Sequence, residues 1–583
     1  MDAVRHVVAD ASRRWEELRI RYLRYRPVAT SAASSGKERD AMSNGADASR
    51  VNPLRRVLLL APKRLLLLLI LILVFVTSVL RLRQQHHDGP ATPPPQPEGQ
   101  VVQTEDAPIP EGVHGVEPGN HRFVIVLPTE GSSPDLCKVI TSALAMGYPM
   151  PVIVNWNATE AHGPGGSHLA KVAGTLAYLD EFSNTGAYEG DRLSDTDIVL
   201  IIDPYDIWFQ LPPEVLLSRF HEINAAANNR LAQLWGDGFE MMPMRQTIVA
   251  SSQKRCYPPP EPGFDPHCEI LPDSPLQPDT YGPNTDSDPA VNPRGYHDVR
   301  PKFINSGTIM GPVGDVRRYF RRVLDRMDEM IATYEVPIDS DQRVFAEVFG
   351  EQEVYRQWRR STRFQPPEGP LPVKWMAREY EFHVGLDYHQ TIAMTTAFSE
   401  EDGTFVTFNN GAEIEQHSQA LGITPNRLYG LPRDIQKAHH PLDNRLVNIK
   451  AATYDWTNYS LYADFFTTSV PVLLHHNGGA KDRRVRWWDR TWFFPYLREL
   501  VKAQLMPPAK VKALARIPVH GGGDVVYWPP SSDASRRLPR LHTLGSAGEK
   551  LGTVQFDALC RYRGEAETKH WYDEVFRDGK GGL

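Results

Sequence analysis

From residue 121 the chain alternates short, wholly apolar runs with longer stretches in which apolar positions recur every three or four residues. Phe123 to Leu127 (FVIVL) is β-branched and closed by polar neighbours, which predicts a buried strand. "SPDLCKVITSALAMGY" has an acid near its start and Gly147 at its end, as a helix requires. "MPVIVNW", "SHLAKVAGTLAYLDEF" and "DIVLIID" continue as strand, helix and strand. That order predicts right-handed crossovers and a mostly parallel sheet, with its ligand crevice at the C-terminal strand ends. Farther along, "PKFINSGTIMGP" reads as a strand, Asp315 to about Thr333 as a basic amphipathic helix, 380–410 as alternating strands, and "VPVLLHHNGG" as another apolar run. "RWWDRTWFFPYLRELVKAQL" reads as one aromatic-rich helix, and 505–583 as a Pro/Gly-rich cap without an assigned place. Residues 251–301 are rich in Pro, Asp and Gly, which predicts a lid or binding loop.

The N-terminal region follows a different pattern. Leu65 to Leu80 carries no charge and lies between Lys63-Arg64 and Arg81. It spans about 24 Å as a helix. The preceding "VLLLAP" and snorkelling of the flanking cations extend it toward a bilayer core. Residues 65–82 are therefore expected to be a single transmembrane anchor, too deep in the chain for an ordinary signal peptide. The basic flank places the 1–64 tail in the cytosol and the body in a lumen, and the short span suits the thinner membranes of the early secretory route. Residues 83–120 are proline-rich and aperiodic, an extended stem.

Charge supports that division. The tail holds 14 Lys and Arg against 7 Asp and Glu, while the whole 583-residue chain is −7, so the remaining 519 residues carry −14. A basic tail on an acidic body fits an anionic membrane surface and argues against a nucleic-acid-binding body. Of the four cysteines, Cys256 and Cys268 are twelve apart and in an oxidising compartment would close a small loop. A zinc site lacks a second ligand pair there. The sequons Asn157-Ala158-Thr159 and Asn458-Tyr459-Ser460 are compatible with a lumenal body.

The third strand runs directly into Asp203-Pro204-Tyr205-Asp206. Two carboxylates three residues apart across a turn can face one point, where they repel unless a divalent cation joins them. Few oxygen ligands select Mg²⁺ or Mn²⁺, completed by water and substrate phosphates. The alternative is that Asp206 caps the helix announced by Pro212-Pro213-Glu214. The chain has neither a Gly-x-Gly-x-x-Gly after the first strand nor a P-loop, which disfavours a dinucleotide dehydrogenase and a P-loop NTPase.

Six segments, in order, carry a further likeness: "LIIDPYDIWFQLPPEVLLSRF", "SSQKRCYPPP", "KFINSGTIMG", "IDSDQRVFAEVF", "GLDYHQTIAMTTAF" and "VPVLLHHNG". Over residues 121–480 the chain resembles the glycosyltransferase domain of the procollagen lysyl hydroxylase/glycosyltransferase family. The resemblance implies an α/β, GT-A type, Rossmann-like mixed sheet flanked by helices, a UDP-sugar donor, Mn²⁺ (or Mg²⁺), and transfer to a glycan or glycoprotein acceptor. It implies Asp203, Asp206 and His475 as metal ligands. Thr129 and Tyr205 match nucleotide-contacting positions, Tyr205 as the ring against uracil. Asn305, Ser306 and Gly307 match the segment beneath the donor sugar. Asp341 and Gln342 match the acidic helix start, with Asp341 a candidate for sugar contact or acceptor activation, and Lys171 is a further candidate for phosphate. The family's iron-dependent hydroxylase half finds no counterpart here, so lysyl hydroxylation is not expected. An anchor and stem before such a domain is the plan of type II transferases of the Golgi (or ER) membrane, with 481–583 as a C-terminal extension. The thinned acidic run "DSDQ" keeps a second class open, an inactive GT-A scaffold or sugar/nucleotide-binding protein. A metal-dependent phosphohydrolase would want more clustered His and Asp ligands.

Overall fold

The computed structural model describes residues 116–156, 166–239, 244–334, 338, 340–361, 380–444, 447, 449, 453–507, 511–530, 538–543, 551–563 and 568–583. The basic tail, the apolar span 65–82, nearly all of the stem and the first sequon lie outside them.

The three expected strands form the centre of a ten-stranded sheet. They are β1 (Gly119–Pro128), β2 (Val152–Val154) and β3 (Ile198–Ile202). β1 pairs parallel with both neighbours, Val126 opposite Val152 and Phe123 opposite Ile198. Each strand is buried on both faces, and its side chains divide between two cores. Phe123, Ile125 and Leu127 enter one core, while Val124 and Val126 enter the other. That is why these strands read as unbroken apolar runs rather than as alternations. Helix α1 (Pro134–Ala145), capped by Ser133 accepting from the Asp135 amide, covers the first face. Helix α2 (Gly166–Phe182) covers the second.

β3 is followed by β4 (Ile207–Phe209), helix α3 (Pro213–Trp235), β5 (Ile248–Gln253) and β6 (Phe303–Pro312). β6 is antiparallel to both β3 and β5, so the sheet is mixed rather than mostly parallel. Helices α4 (Val313–Tyr334) and α5 (Asp341–Ser361) pack on the second face, and β7 (Val384–Asp387) closes the edge beside β5. A small separate sheet joins β4, β8 (Ala393–Thr395) and β11 (Leu473–His475), and a hairpin pairs β9 (Gly403–Thr407) with β10 (Ser460–Asp464).

The C-terminal hundred residues are built into this body. β13 (Asp524–Trp528) pairs parallel with the first residues of β1, so Gly119 and Asn120, read as stem, are strand. β12 (Ala515–Pro518) lies on β13, and β14 (Arg540–Leu541) lies on β2. Cys137 in α1 is bridged to Cys560, and Cys256 to Cys268. The single aromatic helix expected after Arg486 is instead broken. A turn at Arg483–Arg486 and 3-10 turns at Trp488–Arg490 and Phe494–Tyr496 precede a helix at Leu497–Leu505. Pro495 has no amide to donate, and the Trp488 and Trp492 indoles donate to the Val575 and Gln210 carbonyls, which fixes each turn separately.

Candidate functional site

Two features of local structure bring the third-strand carboxylates into a cluster. First, β11 runs antiparallel to β4 with His475 opposite Ile207, and the His476 amide donates to the Asp206 carbonyl at 2.7 Å. A residue 269 positions from Asp206 in sequence thus becomes its neighbour. Second, β6 bulges. Its pairing with β5 jumps from Ile309 opposite Ala250 to Asn305 opposite Ser251, leaving Ser306, Gly307 and Thr308 as extra residues. The Gly307 carbonyl accepts the Asp203 amide at 2.9 Å. A Cβ on Gly307 would overlap the His475 ring and stand 2.9 Å from Asp203 Oδ2, so the bulge reaches the cluster only because this residue has no side chain.

Asp203, Asp206 and His475 each offer one ligand atom within 4.8 Å of the others. His475 Nε2 is 3.6 Å from Asp203 Oδ2 and 3.5 Å from Asp206 Oδ1, and neither ring nitrogen has a hydrogen-bond partner although the residue is buried. An orphaned imidazole facing two carboxylates just beyond hydrogen-bond length fits a divalent ion with bonds of about 2.1 Å. Two hard oxygens and one imidazole suit Mn²⁺ and admit Mg²⁺.

Two lysines flank the cluster. Lys171, from α2, is buried and bridges Asp203 Oδ1 (2.8 Å), Asp341 Oδ2 (2.8 Å) and the Ser306 carbonyl (2.9 Å). Burial opposes its charge, but the two carboxylates outweigh that and hold its ammonium well above the usual lysine range. Lys481 lies 2.5 Å from Asp206 Oδ2 and 3.1 Å from the His476 carbonyl, and is half-exposed. Burial also works against the Asp206 carboxylate. His475 and Lys481 prevail and hold it well below the ordinary range. His476, in contrast, packs 4.1 Å from the Trp208 ring, and burial pushes it down to about 3, so it is neutral.

The other residues singled out from sequence divide into two groups. Thr129 and Tyr205 meet: their hydroxyls hydrogen-bond, and Tyr205 also donates to the Gly131 carbonyl at 3.0 Å. Burial raises the Tyr205 pKa. Asn305, Gln342 and Asp341 gather under the bulge, but their polar groups are engaged by the protein. Asn305 Oδ1 accepts the Gly307 amide (3.0 Å) and its Nδ2 donates to Gln253 (2.9 Å). Gln342 accepts the Ser306 amide (2.7 Å) and donates to the Ile304 (2.7 Å) and Tyr257 (3.3 Å) carbonyls. Asp341 is ion-paired to Lys171.

Three basic residues at the site were not anticipated. Lys481 is one. Arg484 donates to the Tyr205 carbonyl (3.2 Å) and pairs with Asp135 (3.0 Å). Arg563, from the C-terminal segment, lies on Gly131 and donates to the Ser132 carbonyl (3.1 Å). The only sequence signal for Lys481 was the Gly478-Gly479 pair, where Gly478 has φ 76° and turns the chain back toward the cluster.

No family profile matches the chain, and no curated protein matches it. Among solved structures it is similar to the galactosyltransferase LgtC, crystallised in complex with donor and acceptor sugar analogs. The two share 13% identity at a TM-score of 0.25, over 66% of this chain and 98% of that one. So loose an overlap leaves the assignment to the site itself.

Proposed function

We propose that this protein is a metal-dependent glycosyltransferase that moves a sugar from a UDP-sugar to a glycan or glycoprotein. The observation that carries the reading is the Asp203–Asp206–His475 cluster, held at the C-terminal ends of the parallel strands against a glycine bulge. The reading is also supported by the resemblance of the six segments quoted above to the glycosyltransferase domain of the procollagen lysyl hydroxylase/glycosyltransferase family. Mn²⁺ (or Mg²⁺), when bound by Asp203, Asp206 and His475, supplies positive charge against a leaving diphosphate.

The chain's own residues do the rest. Thr129 and Tyr205 place the base at the end of β1. Lys481 has a flexible ammonium that can leave Asp206 for a phosphate oxygen once a cation takes its place. Gly307 and Ser306 offer backbone close to the donor sugar. Asn305 and Gln342 fix that backbone through the hydrogen bonds described, and Asp341 holds Lys171 beside Asp203, so these three act by positioning. We further propose that residues 65–82 anchor the enzyme in the Golgi (or ER) membrane with a lumenal body, on the strength of the uncharged run and its basic N-terminal flank.

The engagement of Asp341 with Lys171 favours one second reading, a sugar- or nucleotide-binding scaffold without turnover. A screen of the full chain against a panel of UDP-sugars with Mn²⁺, measuring UDP released as the sugar passes to water or to an added glycan or glycoprotein acceptor, separates the two. Release from at least one donor supports the enzyme. UDP binding without release from any donor supports the scaffold.

A further inference from the structure

Most of the buried or half-buried arginines of the body have clear partners. Arg219, Arg300, Arg322, Arg356 and Arg498 each meet a carboxylate. Arg255 does not. Among the described residues its guanidinium makes no hydrogen bond and no ion pair, yet it is not loose. Its central carbon lies 5.5 Å from the Tyr257 ring centre and 5.3 Å from that of Tyr296, between two aromatic faces. Tyr296 in turn lies 5.1 Å from Phe398, and Tyr257 is 44% exposed.

The backbone around Arg255 is tied to the donor side of the site. The Arg255 carbonyl accepts from Gln253 (2.8 Å), whose own carbonyl oxygen Oε1 accepts from Asn305 (2.9 Å). The Tyr257 carbonyl accepts from Gln342, which also holds the Ser306 amide. Cys256 is bridged to Cys268, and Lys254 is buried against Asp402 (2.5 Å) and the His297 carbonyl (2.7 Å), next to Tyr296. Phe398 closes the rim from the other direction. The Ala397 amide donates to Asn477 (2.8 Å), and the Thr396 amide to the His475 carbonyl (2.9 Å). Phe398 itself is held at φ 63°, in the left-handed region that an aromatic side chain disfavours. A strained ring, two more rings and an unpaired guanidinium therefore form one rim that joins the glycine bulge to the His475 strand.

We propose that this rim is an acceptor subsite, and that Arg255 recognises an anionic group, carboxylate or phosphate, carried by the acceptor sugar. The inference rests on the glycosyltransferase reading for the word acceptor. The chemistry does not. A planar fork of five N–H donors matches a carboxylate or phosphate in two parallel bonds, and the two tyrosine rings hold that fork in place without using its donors. The rings also give flat apolar faces to a pyranose. The cations against the metal cluster are Lys171 and Lys481, so a donor diphosphate has its own partners and leaves Arg255 to a different anion.

The test is a titration of the full chain, followed by saturation-transfer NMR, with two matched pairs of sugars: methyl β-glucuronide against methyl β-glucoside, and mannose 6-phosphate against mannose. Binding is read without donor. At least one charged sugar is expected to bind on the order of tenfold more tightly than its neutral partner. Preference in the first pair identifies a carboxylate, and in the second a phosphate. Arg255→Met, which keeps an apolar stem between the rings, should erase the preference while leaving neutral-sugar binding unchanged. Arg255→Lys, which keeps the charge without the fork, should retain only part of it. No charged-over-neutral preference in the wild type, or a preference that survives Arg255→Met, overturns the proposal. UDP binding and UDP-sugar turnover, measured separately, decide the transferase reading, so the two failures are distinct.

Discussion

Gly307 shows how tightly the site is specified at the scale of one residue. Its Cβ position is occupied by the buried His475 ring. Gly307→Ala is expected to leave the fold intact while displacing His475. Mn²⁺ affinity, measured by calorimetry, should then fall roughly 10- to 100-fold, as for other residues that orient a ligand. Unchanged affinity would show that His475 does not bind the ion. Asp203, Asp206 and Gly307 were legible in sequence because a strand end, a short acidic spacing and a glycine each leave a local mark. His475 needed the resemblance to be preferred over His476, and the neutral His476 packed on Trp208 is the core histidine of the pair. Lys481 was not legible, because a lysine in the run "AKDRRVR" looks like solvated surface until the glycine turn brings it to Asp206. Asn305 and Gln342 match family segments in sequence, and in the folded chain their hydrogen bonds go to backbone and to Gln253. Residue type alone cannot distinguish a group that touches substrate from one that holds the strand beneath it.

At the scale of elements, the hairpin of β9 and β10 presses two carboxylates into the core. Asp402 and Asp464 are both fully buried, with Lys254 against Asp402. Burial, then the Asp402 charge, pushes the Asp464 carboxyl up to about 7. The unfolded chain loses this proton near pH 3.9 and the folded chain near 7, so its contribution to stability is greatest below about pH 4 and is lost as pH rises through the window between. For one proton the slope is at most about 1.4 kcal/mol per pH unit. Asp464→Asn keeps the acceptor for the Phe466 and Thr467 amides. It should flatten urea-unfolding stability between pH 5 and 7.5 and exceed the wild type at the upper end, and parallel profiles for the two proteins would contradict the argument. The βαβ half was legible because each of its strands is apolar throughout. The antiparallel turn of the sheet at β6 was not, since strand direction is decided by the long 254–302 excursion and leaves no periodic signal. The broken aromatic stretch failed for a related reason. A helical spacing of tryptophans was overridden by Pro495 and by indoles fixed to distant carbonyls.

At the scale of the whole molecule, the division drawn at residue 480 does not separate independent units. Trp487, Trp488, Tyr527, Trp571 and Phe576 share one core with Phe123, Ile125 and Leu127, and Cys137–Cys560 spans 423 residues. A chain ending at 480 should therefore be insoluble, because it exposes that face of the sheet. Cys137→Ser with Cys560→Ser should fold but lose on the order of 2–5 kcal/mol, read as a lower urea midpoint. Soluble, cooperatively folding 1–480 chain would restore the C-terminal segment to the status of an appendage. The integration also gives the C-terminus a part in the site, through Arg484 and Arg563 beside Tyr205 and Gly131. The account as a whole depends on the cluster at the strand ends. Its most direct test is Mn²⁺-dependent UDP release from UDP-sugars by the wild-type chain and by Asp203→Asn/Asp206→Asn, which keeps the side-chain shape and removes the charge. The expected result is release by the wild type that EDTA abolishes and Mn²⁺ restores, with at least a hundredfold loss in a double variant that still unfolds cooperatively, on the order of what electrostatic stabilisation of a leaving group provides. Equal release by both proteins, or release indifferent to EDTA, would contradict it.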